Sequence, residues 1–193
     1  MRQVSVLIAD DSVTDRSEVR VLLTAIGHTV VAETDTSAKA LSLARGLRPD
    51  LVIVEASLSP LSGFDTAALL AAEGIAPTIL VTAHVGEETL ERIGKSGALG
   101  FLAKPLRAAD LGPLIQLAVA RWELFTELNA EIAALNERME ARKLVGRAKA
   151  ILMEKLNLQE RDAFRRIQAQ SAALNKPVHE IARAIITAHD VST

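Results

Sequence analysis

Five polar residues are spaced along the sequence so that they could act together on a charged ligand. They are Asp10, Asp11, Glu55, Thr82 and Lys104, and all of them end or follow short apolar runs. Clustered carboxylates bind a hard divalent cation such as Mg²⁺ through their oxygens. A lysine and a hydroxyl beside them suit the oxygens of a phosphoryl group in transfer. The set predicts a cleft for Mg²⁺ and a phosphoryl group; alternatively, the aspartates only cap a helix and pair with Lys104.

Alternating strands and helices must position these residues. The apolar runs predict strands over Val4–Ala9, His28–Glu33, Asp50–Val54, Thr78–Val81 and Leu99–Ala103. Helical spacing predicts helices over Ser12–Ile26, Ser37–Leu47, Phe64–Glu73 and Glu87–Ser96. Strict alternation predicts an α/β fold, a doubly wound five-stranded parallel sheet with helices on both faces. In such a sheet the polar residues meet at the carboxyl ends of the strands.

Residues 1–120 resemble a response-regulator receiver domain, and the resemblance rests on this set of polar residues in this order. It implies that Asp10 and Asp11 bind Mg²⁺. It also implies that Thr82, followed by the small Ala83, and Lys104, followed by a proline, contact a phosphoryl group. Phe101 matches the family's rotating aromatic switch. A sensor kinase is the partner that such a domain implies.

Position 55 departs from that family, which carries its phosphoacceptor aspartate at the end of the third strand. The extra methylene of Glu55 moves the carboxylate about 1.5 Å further into the cleft. Acyl phosphate formation needs close in-line geometry, so ordinary aspartyl phosphorylation is not expected. Three interpretations stay open. Glu55 reaches Lys104 and Thr82 and mimics the phosphorylated state, the domain is a pseudo-receiver switched by a partner or by oligomerisation, or residual phosphotransfer persists.

A helix over residues 110–143, continuous with the last receiver helix, is predicted to link two domains. We call one row of apolar residues on it the heptad stripe: Phe125, Leu128, Ile132, Leu135 and Met139. Their alternating spacing of three and four is typical of a coiled coil. The stripe predicts a homodimer through helix pairing, parallel or antiparallel; alternatively, it packs back onto its own chain.

Residues 144–193 form a second, basic domain. Helical segments are predicted over Leu144–Leu156, Gln159–Ala173 and Pro177–His189, with Phe164, Leu156 and Leu174 among the core residues. Residues 142–193 contain 10 Lys and Arg against 5 Asp and Glu, whereas residues 1–141 contain 12 against 19. A basic domain that follows an acidic one in the sequence indicates a polyanionic partner. Alternatively, these charged residues only form the solvated faces of helices.

The last fifty residues resemble the ANTAR domain, the RNA-binding output module of certain transcription antiterminators. The match, over roughly residues 140–190, rests on Gly146–Glu154 (GRAKAILME), Ala163-Phe164, Ser171, Asn175 and Ile181-Ala182. It implies binding to paired hairpin loops in messenger RNA leaders, which prevents formation of a terminator. The candidate phosphate contacts are Arg142, Lys143, Arg147, Lys149, Arg165, Arg166 and Lys176.

Several classes of protein are not expected. The chain has no cysteine, its four histidines are scattered, and no nucleophile lies beside a base, so no catalytic residue and no enzyme is predicted. No apolar run approaches the roughly 20 residues of a membrane span, and the start does not resemble a signal peptide, so we expect a cytoplasmic protein. A DNA-binding response regulator and a protein-interaction adaptor remain alternatives to the RNA-binding regulator.

Overall fold

The computed structural model describes residues 2–190, and the chain divides into two compact units between Glu127 and Leu128. The strands are β1 (Ser5–Ala9), β2 (Thr29–Thr34), β3 (Leu51–Glu55), β4 (Thr78–Thr82) and β5 (Gly100–Ala103). The helices are α1 (Val13–Ala25), α2 (Ser37–Leu47), α3 (Gly63–Ala72), α4 (Glu87–Lys95), α5 (Ala108–Leu156), α6 (Glu160–Leu174) and α7 (Val178–Asp190). The predicted alternation of strands and helices is confirmed.

The first unit is built on a parallel sheet with the strand order β2-β1-β3-β4-β5. This order confirms the predicted doubly wound fold. It reverses between β1 and β3, and ligands of such sheets bind beyond the carboxyl ends of the strands at that reversal. Ala9 pairs with Val54 across these two strands. Asp10 and Glu55, each one residue further along, therefore lie side by side at the reversal.

Both faces of the sheet are covered, because successive strand residues point to opposite sides. One face, which includes Leu7, Val52 and Leu80, packs against α2 and α3. The other face, which includes Ile8 and Ile53, packs against α1 and the start of α5. Since both layers are apolar and buried, the polar groups of the sheet are available only where the strands end.

The loop after β3 passes very close to the strand that precedes it. The backbone N–H of Gly63 donates to the carbonyl oxygen of Ala56 at 2.9 Å. A Cβ at position 63 would lie 2.2 Å from the carbonyl oxygen of Glu55, which is too close for any side chain. Glycine at this position therefore allows the loop to close over the end of β3 and fixes the backbone that carries Glu55.

The second unit packs the end of α5 against α6 and α7. Its core residues, each at most 8% exposed, are Ala148, Ile151, Ile167, Ile181, Ala182 and Ile186. Helix α5 runs through Leu144, where the sequence suggests a separate segment, because only Gly146 weakens the helix there. None of the described helices is both long enough and apolar enough to span a bilayer.

Three residues expected in this core are exposed, so that part of the prediction is wrong. Phe164 is 36% exposed, Leu156 46% and Leu174 56%. Helix α6 turns Ala163 and Ile167 inward, and each residue of an α-helix is rotated by about 100° from the one before it. Phe164 is therefore directed away from the centre of the core, while the two leucines are the last residues of α5 and α6.

Candidate functional site

Lys104, directly after β5, is surrounded by three carboxylates. Its Nζ lies 2.8 Å from Asp10 Oδ2, 2.5 Å from Asp15 Oδ2 and 2.7 Å from Glu55 Oε2. The side chains of Asp10 and Glu55 are 3% and 8% exposed, and that of Lys104 is 19% exposed. We call these four residues the lysine cluster. It joins the ends of β1, β3 and β5 to the first turn of α1.

Contacts within the lysine cluster shift the pKa values of Lys104 and Asp15 in the directions that favour their charged forms. Burial acts to lower the pKa of Lys104, but hydrogen bonds to Asp10 and Asp15 and the adjacent charge of Glu55 outweigh it and raise that pKa above its ordinary value. The hydrogen bond from Lys104 also lowers the pKa of Asp15. Lys104 and Asp15 are therefore both ionised at neutral pH, and the ion pair between them is permanent under ordinary conditions.

The extra methylene of Glu55 brings its carboxylate to Lys104. The other oxygen of this carboxylate, Oε1, lies 3.4 Å from the backbone N–H and from the hydroxyl of Ser57, both of which donate to it. Glu55 is thus held by a strong charged contact on one side and two long hydrogen bonds on the other. This arrangement fixes an anion at the end of β3.

Asp10 and Asp11 differ in what remains free for a metal ion. Asp10 is buried, accepts the backbone N–H of Ser12 at 2.8 Å and contacts Lys104 with its other oxygen. Asp11 is exposed. The donor chemistry suits Mg²⁺, yet within residues 2–190 no three acidic or histidine side chains come together as a metal site. As arranged, the residues do not fit a divalent cation, because Lys104 already takes that place beside Asp10.

Thr82 and Phe101 have contacts outside the lysine cluster. The Thr82 hydroxyl accepts the backbone N–H of His84 and donates to its carbonyl oxygen, both at 3.1 Å. Phe101 is partly buried and packs against the core that contains Phe64 and Ile93. Thr82 is therefore engaged by its own loop, and its hydrogen bonds do not include Glu55.

The heptad stripe lies in a part of α5 whose every residue from 123 to 140 is exposed. Its five side chains are 47–58% exposed. Within the described chain they do not pack into either core, so the alternative that the stripe folds back onto its own chain is not what the structure shows. The stripe is an apolar surface without a partner in the single chain.

The basic residues predicted to contact RNA fall into three groups. Three of the predicted RNA contacts are held in ion pairs: Lys143 with Glu140 at 2.6 Å, Arg147 with Asp190 at 2.9 Å and Lys149 with Glu160 at 2.5 Å. Arg165 and Lys176 have looser carboxylate neighbours at 3.9 and 4.0 Å. Arg142 and Arg166 are exposed and have no ion pair among the described residues.

Comparison with known families identifies both parts of the chain. Residues 6–116 match the response regulator receiver domain, and residues 133–186 match the ANTAR domain. The chain belongs to the response regulators with an ANTAR domain. It is 36% identical to the transcriptional regulatory protein PdtaR of Mycobacterium tuberculosis, over 94% of this chain and 88% of that protein. This is a regulatory family, and the family prediction from the sequence is confirmed.

Solved structures resemble the receiver part of this response regulator. A signal receiver domain of a modulated diguanylate cyclase from Desulfovibrio desulfuricans G20 is 33% identical, with a TM-score of 0.60 over 64% of this chain and 98% of that one. A LuxR-family response regulator from Aurantimonas sp. is 26% identical, with a TM-score of 0.57 over 62% of this chain and 86% of that one. Receiver domains generally bind Mg²⁺ at the phosphorylation site.

Sequence reasoning missed several residues of these sites. Asp15 was overlooked because it lies 89 positions from its partner Lys104, and only its place in the first turn after two aspartates could have drawn attention to it. Among residues 142–190, three exposed cations without an ion pair to another described residue were not named: Lys155, Arg161 and Arg183. Their exposure depends on how the helices pack, which the spacing of residues along the sequence does not reveal.

Replacing Lys104 tests whether the lysine cluster stabilises this response regulator. We expect Lys104→Met to lower the free energy of unfolding of the first unit by about 3 kcal/mol, because it leaves buried carboxylates without their counter-ion. Urea unfolding at neutral pH measures this change. The control is Lys39→Met, which breaks the exposed pair with Asp35 and should change stability by less than about 1 kcal/mol. Equal effects of the two substitutions would contradict the role of the cluster.

Proposed function

We propose that this protein is a cytoplasmic regulator that binds hairpin RNA through its second unit and controls transcription termination. The ANTAR match over residues 133–186 carries the proposal. The charge of the region supports it, because twice as many basic as acidic residues lie in residues 142–193. Such an excess favours a polyanion and gives binding that weakens steeply with salt.

Five exposed cations form the proposed phosphate-binding set. They have no ion pair among the described residues and are Arg142, Lys155, Arg161, Arg166 and Arg183. Lys143, Arg147 and Lys149 stay predicted contacts, but each must first release a carboxylate. A DNA-binding output domain is disfavoured because the family match in this region is to the ANTAR domain. An adaptor that docks an acidic protein would use the same charges but would not discriminate RNA hairpins.

An electrophoretic mobility assay with a two-hairpin RNA and a duplex DNA of equal length tests the RNA proposal. We expect the RNA to bind at least tenfold more tightly. Arg166→Gln should weaken RNA binding and lower the slope of log K against log salt by about one, because one phosphate contact is lost. Lys95→Gln, on α4 of the first unit, serves as the control and should leave both unchanged. Equal salt-sensitive binding to RNA and DNA would overturn the proposal.

For the first unit, we infer that the ion pair between Glu55 and Lys104 stands permanently in place of a phosphorylation switch. The 2.7 Å contact and the burial of Glu55 support this inference. The hydrogen bonds of Thr82 with His84 favour a pseudo-receiver over a full mimic of the phosphorylated state, since a mimic would also engage the Thr82 hydroxyl. A sensor kinase would then not act through position 55. Lys104 would compete with Mg²⁺ for Asp10, and Asp11 alone provides too few ligands to hold the ion.

Labelling with radioactive acetyl phosphate tests the inference about Glu55. We expect the unaltered protein to remain unlabelled at position 55 and Glu55→Asp to become labelled. The shorter side chain withdraws from Lys104 and restores room for in-line attack. Glu55→Gln is the control and should remain unlabelled. If the unaltered protein is labelled at position 55 as readily as Glu55→Asp, the inference is wrong.

We further propose that two copies of the chain pair through the heptad stripe. The occupant is a second copy because the stripe repeats with coiled-coil spacing and the helix around it is exposed on every side. Burying the exposed half of each apolar side chain yields about 1 kcal/mol, so ten side chains yield about 10 kcal/mol. The loss of translational and rotational freedom on association offsets much of this gain, so we expect this short stripe to give a dimer of only modest affinity.

Light scattering at micromolar concentration tests the dimer. The unaltered protein should have twice the mass of one chain, whereas Ile132→Glu should be a monomer, because it places a charge within the buried stripe. Ala133→Glu adds the same charge one position away, outside the stripe, and should remain a dimer. A monomeric unaltered protein, or equal dissociation of both variants, would contradict the pairing.

A further inference from the structure

Phe164 lines an open cleft near the start of α6. The cleft has a volume of about 410 Å³, and its other lining residues are Lys149, Gln159, Glu160 and Arg161. Phe164 is the only aromatic residue in the second unit, and more than a third of its surface is exposed. Single exposed apolar residues are common. This one differs because its ring shares a cleft with an anion, an amide and two cations.

The polar groups of the cleft have complementary roles toward a flat ligand. Glu160 is 69% exposed, and its carboxylate is held by Lys149 Nζ at 2.5 Å. That hydrogen bond lowers the pKa of Glu160, so the carboxylate is ionised and accepts hydrogen bonds without donating. Gln159 can donate and accept, while Arg161 has no ion pair among the described residues. A planar ring thus lies beside an acceptor, an amide and a free cation.

These features match an unpaired nucleobase and its phosphate. In single-stranded RNA, sequence is read by stacking a splayed base on an aromatic side chain and bonding to its Watson–Crick edge. A carboxylate accepts from the amino or imino N–H groups of a base, and a nearby arginine contacts the phosphate. An acidic peptide would also contact the cations but would meet Glu160 as a like charge and leave the ring unused.

We propose that this cleft binds one unpaired nucleobase of an RNA hairpin loop, with Phe164 stacking on the base and Glu160 accepting from its N–H groups. The proposal rests on the proposed RNA-binding function and adds the residues that read the loop. Arg161 contacts the phosphate beside that base. Lys149 is a positioning residue, because it holds the Glu160 carboxylate; in this proposal it keeps that ion pair and does not itself contact a phosphate.

The test uses the full-length protein and a two-hairpin RNA in which 2-aminopurine replaces each loop base in turn. With the unaltered protein, fluorescence at one loop position should be quenched on binding, because the probe stacks on a ring. Phe164→Leu should abolish this quenching and weaken binding about tenfold or more. Phe164→Tyr keeps a ring and should retain both the quenching and the affinity within about twofold.

Matched variants separate the cleft from the rest of the module. Leu174→Ala removes an exposed apolar side chain at the other end of α6 and should bind as the unaltered protein does. Glu160→Ala should weaken binding about tenfold without abolishing the quenching, since stacking persists. This second variant tests the cleft even if Phe164→Leu unfolds, which circular dichroism detects.

The outcomes distinguish the two proposals. If the unaltered protein does not bind the RNA, the proposed function fails together with the cleft. If it binds, but Phe164→Leu shows the same affinity and quenching, the cleft is overturned while the RNA-binding function stands. Loss of binding in Leu174→Ala equal to that in Phe164→Leu would also overturn the cleft, because the effect would then be one of packing.

Discussion

A partly buried ammonium group needs compensating charge, and the first unit is arranged to provide it. Lys104 lies at the end of β5, while its partners come from the ends of β1 and β3 and from the first turn of α1. These positions meet only when all three strands are in register and α1 is docked. A lysine with its charge buried and unmatched would destabilise the fold strongly. The lysine cluster can therefore form only when the strands of the sheet are correctly assembled.

The fold was predictable because its signals are local. Apolar runs that end in polar residues and helices with regular spacing gave the parallel sheet, and the position of Asp10, Glu55 and Lys104 at strand ends followed from topology. The partner of Lys104 on α1 was not predictable, since Asp15 is also a plausible first-turn residue of any helix. Nor was the orientation of Thr82, which is decided by the backbone of its own loop.

Phe164 shows that the spacing of apolar residues does not decide which of two neighbours enters a core. Ala163 and Phe164 are adjacent, and a rotation of α6 by one residue would exchange their places between core and surface. Periodicity favours the larger apolar residue for the core, yet the packing of α6 in this unit leaves room for the alanine and not for the ring. The number of basic residues in a sequence is likewise a poor guide to the number of cations available to a ligand. Ten basic residues in the last part of the sequence do not mean ten available cations, because Arg147 and Lys149 already have carboxylate partners.

The glutamate at position 55 is also close to aspartate in the genetic code. Codons for glutamate and aspartate share their first two bases, so a single change in the third base converts one residue into the other. The chain keeps Asp10, Asp11, Thr82 and Lys104 around position 55. A gene that encodes this receiver is thus one mutation away from an aspartate among those residues. The difference between the glutamate found here and the aspartate of the family is therefore the smallest change that the genetic code allows.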